Sequence, residues 1–194
     1  MGASFNYTPP QSFANHWYGQ LYNSMSHAEL AELRKWFENI DQDRSGNITP
    51  AELQNLAFGP QRQQLGFETA VKLTKVFDKD RSGSIDFFEY ATLHKFITSM
   101  QKAFAETDAD RSGTLDAREI HNALRVSGFQ LSLEAVNSMH RKYNKHGGGV
   151  RFTDFLAMAA DIALLRTQFE IYDRNRSGYI QIDLNSLIVI ASEI

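Results

Sequence analysis

The stretch Asp78-Lys79-Asp80-Arg81-Ser82-Gly83-Ser84-Ile85-Asp86-Phe87-Phe88-Glu89 sets oxygen-bearing side chains at alternate positions of a twelve-residue segment. A hard divalent cation such as Ca2+ takes roughly six to eight oxygen ligands, and alternate positions of a turning loop can all face one centre. Asp78, Asp80 and Ser82 offer side-chain oxygens from positions one, three and five, and Ser84 offers its backbone carbonyl from position seven. Asp86 at nine acts directly or through a water, and Glu89 at twelve supplies two oxygens that close the sphere. Gly83 at six permits the sharp turn that such wrapping needs. A plain polar turn between two helices would require none of these identities at fixed spacing.

The pattern repeats, and repetition decides the architecture. Residues 41–52 offer Asp41, Asp43, Ser45 and Glu52 as side-chain ligands with Asn47 at position seven. Residues 108–119 offer Asp108, Asp110, Ser112 and Glu119, with Thr114 at seven and Asp116 at nine. A weaker copy at 173–184 keeps Asp173, Asn175, Ser177 and Gly178 but ends in Leu184 where the closing carboxylate belongs. A worn copy puts Tyr143, Lys145, Gly147 and Asp154 at positions one, three, five and twelve, so a phenol and a cation replace ligands. Loops of this helix-loop-helix kind are EF-hands. Loops one to three are expected to bind Ca2+, two to three ions per chain, with Mg2+ as the occupant in its absence. Dissociation constants on the order of 10⁻⁷ to 10⁻⁵ M are typical of such sensor loops. The fourth loop is not expected to bind, and the fifth lacks its bidentate ligand.

The elements that must hold these loops follow from the spacing. The units start at residues 41, 78, 108, 143 and 173. Between units two and three, and between four and five, there is room for only one helix, predicted as Phe88–Glu106 and Phe152–Tyr172. Leu93, Phe96, Ile97 and Met100 in the first, and Phe155, Met158, Ile162 and Leu165 in the second, recur at helical spacing. The longer gaps hold two helices each, broken at Gly59-Pro60 and Gly128. Ser26-His27-Ala28-Glu29 reads as a capping box before the stripe Leu30, Leu33, Trp36, Phe37 and Ile40, and Thr49-Pro50-Ala51-Glu52 starts the next helix. The expected fold class is all-α: five EF-hand helix-loop-helix units, shared helices between units two and three and between four and five, and short β segments pairing the loops. Residues 1–25, rich in Asn, Ser, Tyr and Pro without helical period, read as a flexible N-terminal arm, and residues 26–194 as the calcium-binding domain. The arm's Phe5, Tyr7, Phe13, Trp17 and Tyr18 are candidates for docking.

Pairing face to face uses up units one with two and three with four. The fifth keeps a free strand edge at Tyr179-Ile180-Gln181 and an apolar exit, Leu187-Ile188-Val189-Ile190. Exposed edges and apolar surface are costly in water. A homodimer or related heterodimer through the fifth unit satisfies both.

Composition narrows the function. The formal charge of −3 gives no reason to expect a nucleic-acid partner. There is no cysteine, hence no disulfide, zinc-thiolate or thiol catalysis. No apolar run approaches the length of a membrane span and no signal-peptide pattern opens the chain, so a cytoplasmic location is expected. The Arg residues at position four of four loops (Arg44, Arg81, Arg111 and Arg176) read as solvated surface charges. His16, His27, His94, His121, His140 and His146 show no metal-ligand spacing, and no nucleophile–base arrangement stands out, so no enzyme is expected. Three Ca2+ ions would add six charges and turn the formal −3 into +3, which favours calcium-dependent target proteins and peripheral contact with anionic membranes. A calcium sensor that exposes apolar surface is the first reading; a calcium buffer whose helices barely move is the second.

The five-unit count, the two shared helices and the ion-poor final unit resemble the penta-EF-hand family over residues 26–194. Asp43-Arg44-Ser45-Gly46, His94-Lys95-Phe96-Ile97-Thr98 and Gly178-Tyr179-Ile180-Gln181 add to the likeness. The resemblance implies a calcium-dependent adaptor that takes Pro-rich segments of membrane-trafficking, repair or cell-death proteins in an apolar pocket. It also admits a regulatory subunit of a calpain-like protease as an alternative.

Overall fold

The computed structural model describes residues 5–9, 17–58, 63–145 and 147–193. The chain is all-α in architecture, with strands only two residues long among the described residues. It divides into two compact units, Met1–Phe58 with Gln64–Ile97, and Gly59–Gln63 with Thr98–Ile194.

In the first unit, α1 (Gly19–Asn23) precedes α2 (His27–Ile40). The capping box forms as the sequence predicts: Glu29 N donates to Ser26 Oγ at 3.3 Å and Ser26 N donates to Glu29 Oε2 at 2.8 Å. Such a cap stabilises a helix by roughly 1 kcal/mol. Leu30, Leu33 and Phe37 face the core, while Trp36 is left half exposed. The short helix α3 (Pro50–Leu53) is capped by Thr49 and Glu52 in the same way. Strands β1 (Ala57–Phe58) and β2 (Gln63–Gln64) form a two-stranded sheet. The expected break at Gly59-Pro60 lies outside the described residues. Helix α4 (Phe67–Phe77) buries Ala70, Leu73, Val76 and Phe77. Loops one and two meet at one antiparallel bridge, Ile48 N to Ile85 O and Ile85 N to Ile48 O, both 2.8 Å. Both isoleucines are fully buried.

Helix α5 (Phe87–Thr107) is the first shared helix, 21 residues without a break, and the division between the units falls within it. The second unit continues with β3 (Thr114–Leu115), α6 (Ala117–Val126), α7 (Leu133–Tyr143) and β4 (Val150–Arg151). Strands β3 and β4 pair antiparallel, Thr114 with Arg151 and Leu115 with Val150, so the third and fourth loops join as the first two do. Gly128, at φ +89°, ends the α6 turn where the sequence places the second break. Helix α8 (Phe152–Tyr172) is the second shared helix and is buried on all sides over Met158–Leu164, with Phe152, Phe155 and Leu156 buried before that stretch. The chain closes with α9 (Leu184–Glu193). Among the described residues, Tyr179–Gln181 has no strand partner.

The flexible arm expected over 1–25 is corrected in part. Tyr18 and Tyr22 are core residues, 1% and 4% exposed, one turn apart across α1. Trp17 packs edge-on against Phe96 at 6.1 Å between centroids, and Tyr18 lies against Phe77 at 5.2 Å. Residues 5–9 also pack, through Phe5 and Tyr7. A single turn of helix is too short for a hydrophobic period, so two tyrosines four residues apart are its whole signal. Phe13 lies outside the described residues.

Candidate metal centres

Each of the first three loops is drawn into a cage by its own backbone. In loop one, Asp41 accepts the amides of Ser45 and Gly46, both at 2.9 Å, while Asp43 accepts Ser45 N at 2.9 Å. Ser45 Oγ donates to the Asn47 carbonyl at 3.0 Å, so the position-five and position-seven oxygens lie together. Glu52 Oε1 reaches back ten residues to accept Gln42 N at 2.9 Å, and this closes the loop. Loop two repeats every one of these contacts: Asp78 accepts Ser82 N and Gly83 N, Asp80 accepts Ser82 N, Ser82 Oγ donates to Ser84 O, and Glu89 Oε1 accepts Lys79 N at 2.8 Å. Loop three repeats them with Asp108, Asp110, Ser112, Thr114 and Glu119.

The result is three carboxylate clusters, Asp41–Asp43–Glu52, Asp78–Asp80–Glu89 and Asp108–Asp110–Glu119. Within each, one oxygen per residue lies within 4.8 Å of the others. Three carboxylates held this close repel one another unless a cation or protons sit among them. An all-oxygen donor set of carboxylates, hydroxyl and carbonyl suits a hard ion such as Ca2+ or Mg2+ and not a thiophilic one. The residues present therefore fit calcium.

The closing glutamates differ in burial. Glu89 is 4% exposed. Burial, with Asp86 and Asp78 nearby, pushes its carboxyl up from 4.5 to about 7, against the hydrogen bonds from Asp86 N and Lys79 N. Asp86 is raised by burial too. Burial also works against ionisation of Glu52, but hydrogen bonds from Thr49 and Gln42 outweigh it and its carboxyl is lowered. Hydrogen bonds from Ser45, Ser82 and Ser112 hold Asp43, Asp80 and Asp110 below the usual range.

The fifth loop has the same first half. Asp173 accepts Ser177 N and Gly178 N, both at 2.8 Å, and Ser177 Oγ donates to Tyr179 O. Its second half offers no closing carboxylate, since Leu184 points to solvent at 70% exposure and Asp183 caps α9 through Ser186 N. The fourth loop has lost the cage. Tyr143 Oη donates to Asp161 and Lys142 Nζ pairs with the same carboxylate at 2.7 Å, while Asp154 lies exposed. The Gly147-Gly148-Gly149 run has a purpose the sequence does not reveal. A Cβ on Gly149, at φ +95°, would meet Thr114 Oγ1 at 2.6 Å, and Thr114 Oγ1 donates to Gly148 O at 2.8 Å. Glycine thus lets the worn loop press against the third.

Sequence reasoning also missed the backbone at position four. Arg44, Arg81, Arg111 and Arg176 all have left-handed φ, between 53° and 58°, and all are exposed. Non-glycine residues rarely adopt that region, and no sequence signal marks these four.

Loops that gather carboxylates around a turn glycine, joined in pairs by short bridges, define an EF-hand protein. The family description "EF-hand domain pair" matches residues 97–160, and "EF hand" matches residues 33–57, 75–94 and 165–185. The chain is 45% identical over 184 residues to penta-EF hand domain-containing protein 2 of Dictyostelium discoideum, covering 95% of this chain and 89% of that protein. It is 31% identical to sorcin of Schistosoma japonicum, covering 76% of this chain and 86% of the relative. It is also 28% identical to peflin of Danio rerio, of which it spans 59%. A solved homolog of programmed cell death 6 protein from Leishmania major Friedlin superposes with a TM-score of 0.59 at 31% identity, covering 87% of this chain and 99% of that one. The chain belongs to the penta-EF-hand family of calcium-binding proteins.

Proposed function

We propose that this chain is a calcium sensor that acts as a calcium-dependent adaptor and assembles as a dimer through its fifth unit. The three gathered carboxylate clusters carry the reading, because each matches a calcium donor set in one short loop. The proposed ligands are Asp41, Asp43, Ser45, the Asn47 carbonyl and Glu52; Asp78, Asp80, Ser82, the Ser84 carbonyl and Glu89; and Asp108, Asp110, Ser112, the Thr114 carbonyl and Glu119. Two to three Ca2+ ions fill them, with Mg2+ in their absence. The carboxylates lose their mutual repulsion when a divalent ion sits among them, and the reversal of the formal charge from −3 to +3 with three ions brings acidic partners and anionic membranes within reach. The protein works in the cytoplasm and moves to membranes with calcium. No described helix is long and apolar enough to cross one, so that contact is peripheral. Its targets are proteins with Pro-rich segments, and its role is regulatory rather than catalytic.

The dimer reading is supported by a run of exposed apolar residues in one place. Tyr179 is 85% exposed, Leu184 is 70%, and Leu187, Ile188 and Val189 are each more than half exposed. Solvent-facing apolar side chains at this density mark an interaction surface. A self-complementary contact with a second copy, or with a related chain, would cover them. Light scattering at micromolar protein with calcium tests the dimer, and a monomeric mass overturns it. Apolar-dye binding with and without calcium tests the sensor in the same samples. A calcium-dependent rise is expected, and an unchanged signal leaves a buffer.

A further inference from the structure

The segment 5–9 lies against the exit of the second loop. Phe5 packs edge-on to Phe87 at 5.1 Å between ring centroids and lies 6.0 Å from Phe88. Tyr7 stands 5.9 Å from Phe87 and 5.9 Å from His27. The Arg34 guanidinium sits over Phe5 at 4.5 Å and is itself held by Glu38 at 2.9 Å. One polar contact fixes the backbone: Tyr22 Oη donates to the Tyr7 carbonyl at 2.7 Å. Rings at these separations attract beyond the area they bury, and a cation over a ring adds to that.

The position of the dock matters more than its size. Phe87 and Phe88 are positions ten and eleven of the second loop, between the carboxylates of Asp86 and Glu89. They open α5, and Phe87 is 3% exposed beneath the strap. With the strap in place, Glu89 is turned inward, accepting Lys79 N and Asp86 N, and lies in the cluster with Asp78 and Asp80. Phe87, Phe88 and Glu89 share the first turn of α5, so a shift of that turn that carries Glu89 away from Asp78 and Asp80 also moves the two rings against which Phe5 and Tyr7 pack. The strap contacts and the gathered oxygens of the loop occur together in this structure.

We propose that residues 5–9 form a calcium-linked strap: docked on Tyr22, Arg34, Phe87 and Phe88, they favour the ion-holding arrangement of the second loop, and calcium in that loop tightens the strap in return. This rests on the reading that the second loop takes calcium. The coupling is reciprocal by linkage, so the same factor appears from either side.

Two measurements on the full chain test it. The double variant Phe5→Ala/Tyr7→Ala, titrated with calcium by calorimetry, should bind one ion about fivefold or more weakly than the natural chain. Phe5→Tyr/Tyr7→Phe, which keeps the rings, should retain the natural affinity. On the unaltered chain, chymotrypsin cleavage after Phe5 and Tyr7 should slow on adding calcium by a similar factor. That protection should vanish in Glu89→Gln and persist in Glu119→Gln. Unchanged or tighter binding in the double variant overturns the strap, and so does protection that survives Glu89→Gln. A calorimetric trace with no binding heat in any variant removes the calcium reading itself. Full-affinity binding throughout, with calcium-independent cleavage, removes only the strap.

Discussion

In the second loop Asp78 accepts the amides of Ser82 and Gly83, and in the fifth Asp173 accepts those of Ser177 and Gly178. The arginines at position four share a left-handed backbone, φ 58° and 53°, and the glycines at position six have φ 80° and 79°. Beyond position seven the two loops part. The second bridges Ile85 to Ile48 and closes on a buried Glu89, whereas the fifth has no strand partner among the described residues and ends in an exposed Leu184. The difference teaches that the first half of such a loop is built by local hydrogen bonds alone. The second half is where the loops differ, in a closing ligand and in a partner strand, and the closing ligand is what turns a cage into a site.

Exchanging the closing residues is the strongest way to break the comparison. Glu89→Gln should make the second loop behave as the fifth, lowering the calorimetric calcium stoichiometry by one. The converse, Leu184→Glu, should raise it by one. If Leu184→Glu adds no ion, the missing strand partner and not the missing carboxylate disables the fifth loop.

Acid should separate the loops next. Glu89 must ionise to bind a cation, and its carboxyl is held up at about 7 by burial. Calcium affinity at the second loop should therefore fall by about tenfold per pH unit below about 7, each ion displacing one proton. The sign for stability without calcium is opposite. Between 4.5 and about 7 the folded chain binds this proton more tightly than the unfolded chain, so its contribution is present at low pH and lost as pH rises through that window. Calcium titrations at pH 6 and 8, with thermal melts in chelator, check both halves.

The smallest effect should be the one the two loops share. Replacing Arg81 or Arg176 by glycine relieves a left-handed backbone in both, and each change should shift stability by no more than about 1 kcal/mol in the stabilising direction, offset in part by glycine's greater unfolded-state entropy. Chemical denaturation of the two variants should give similar shifts. Unequal ones would mean that the two arginines are not in equivalent surroundings.

The three carboxylate clusters were legible because the loops carry them at fixed spacing. So were both shared helices, since a 30-residue repeat leaves room for one helix, and α8 spans the predicted Phe152–Tyr172. Other features had no local signal. Trp36 shares the apolar stripe of α2 with Phe37 by spacing, yet one is half exposed and the other fully buried. The glycine triplet reads as a worn loop, and its use depends on Thr114, some 35 residues away. Tyr18 and Tyr22 read as part of an irregular arm, and packing against the distant Phe77 and Phe88 makes them core.

The sequence alone determined which oxygens each loop offers, which loop lacks its closing ligand, and which helices serve two loops. These follow from backbone turns and helical periods a few residues long. Only the tertiary structure decided that Glu89 is buried while Glu52 is partly buried, that Gly149 must be glycine, and that Phe5 and Tyr7 rest on the second loop's exit. Burial, close approach and ring packing are set by residues far apart in the chain, and no window of sequence contains both partners.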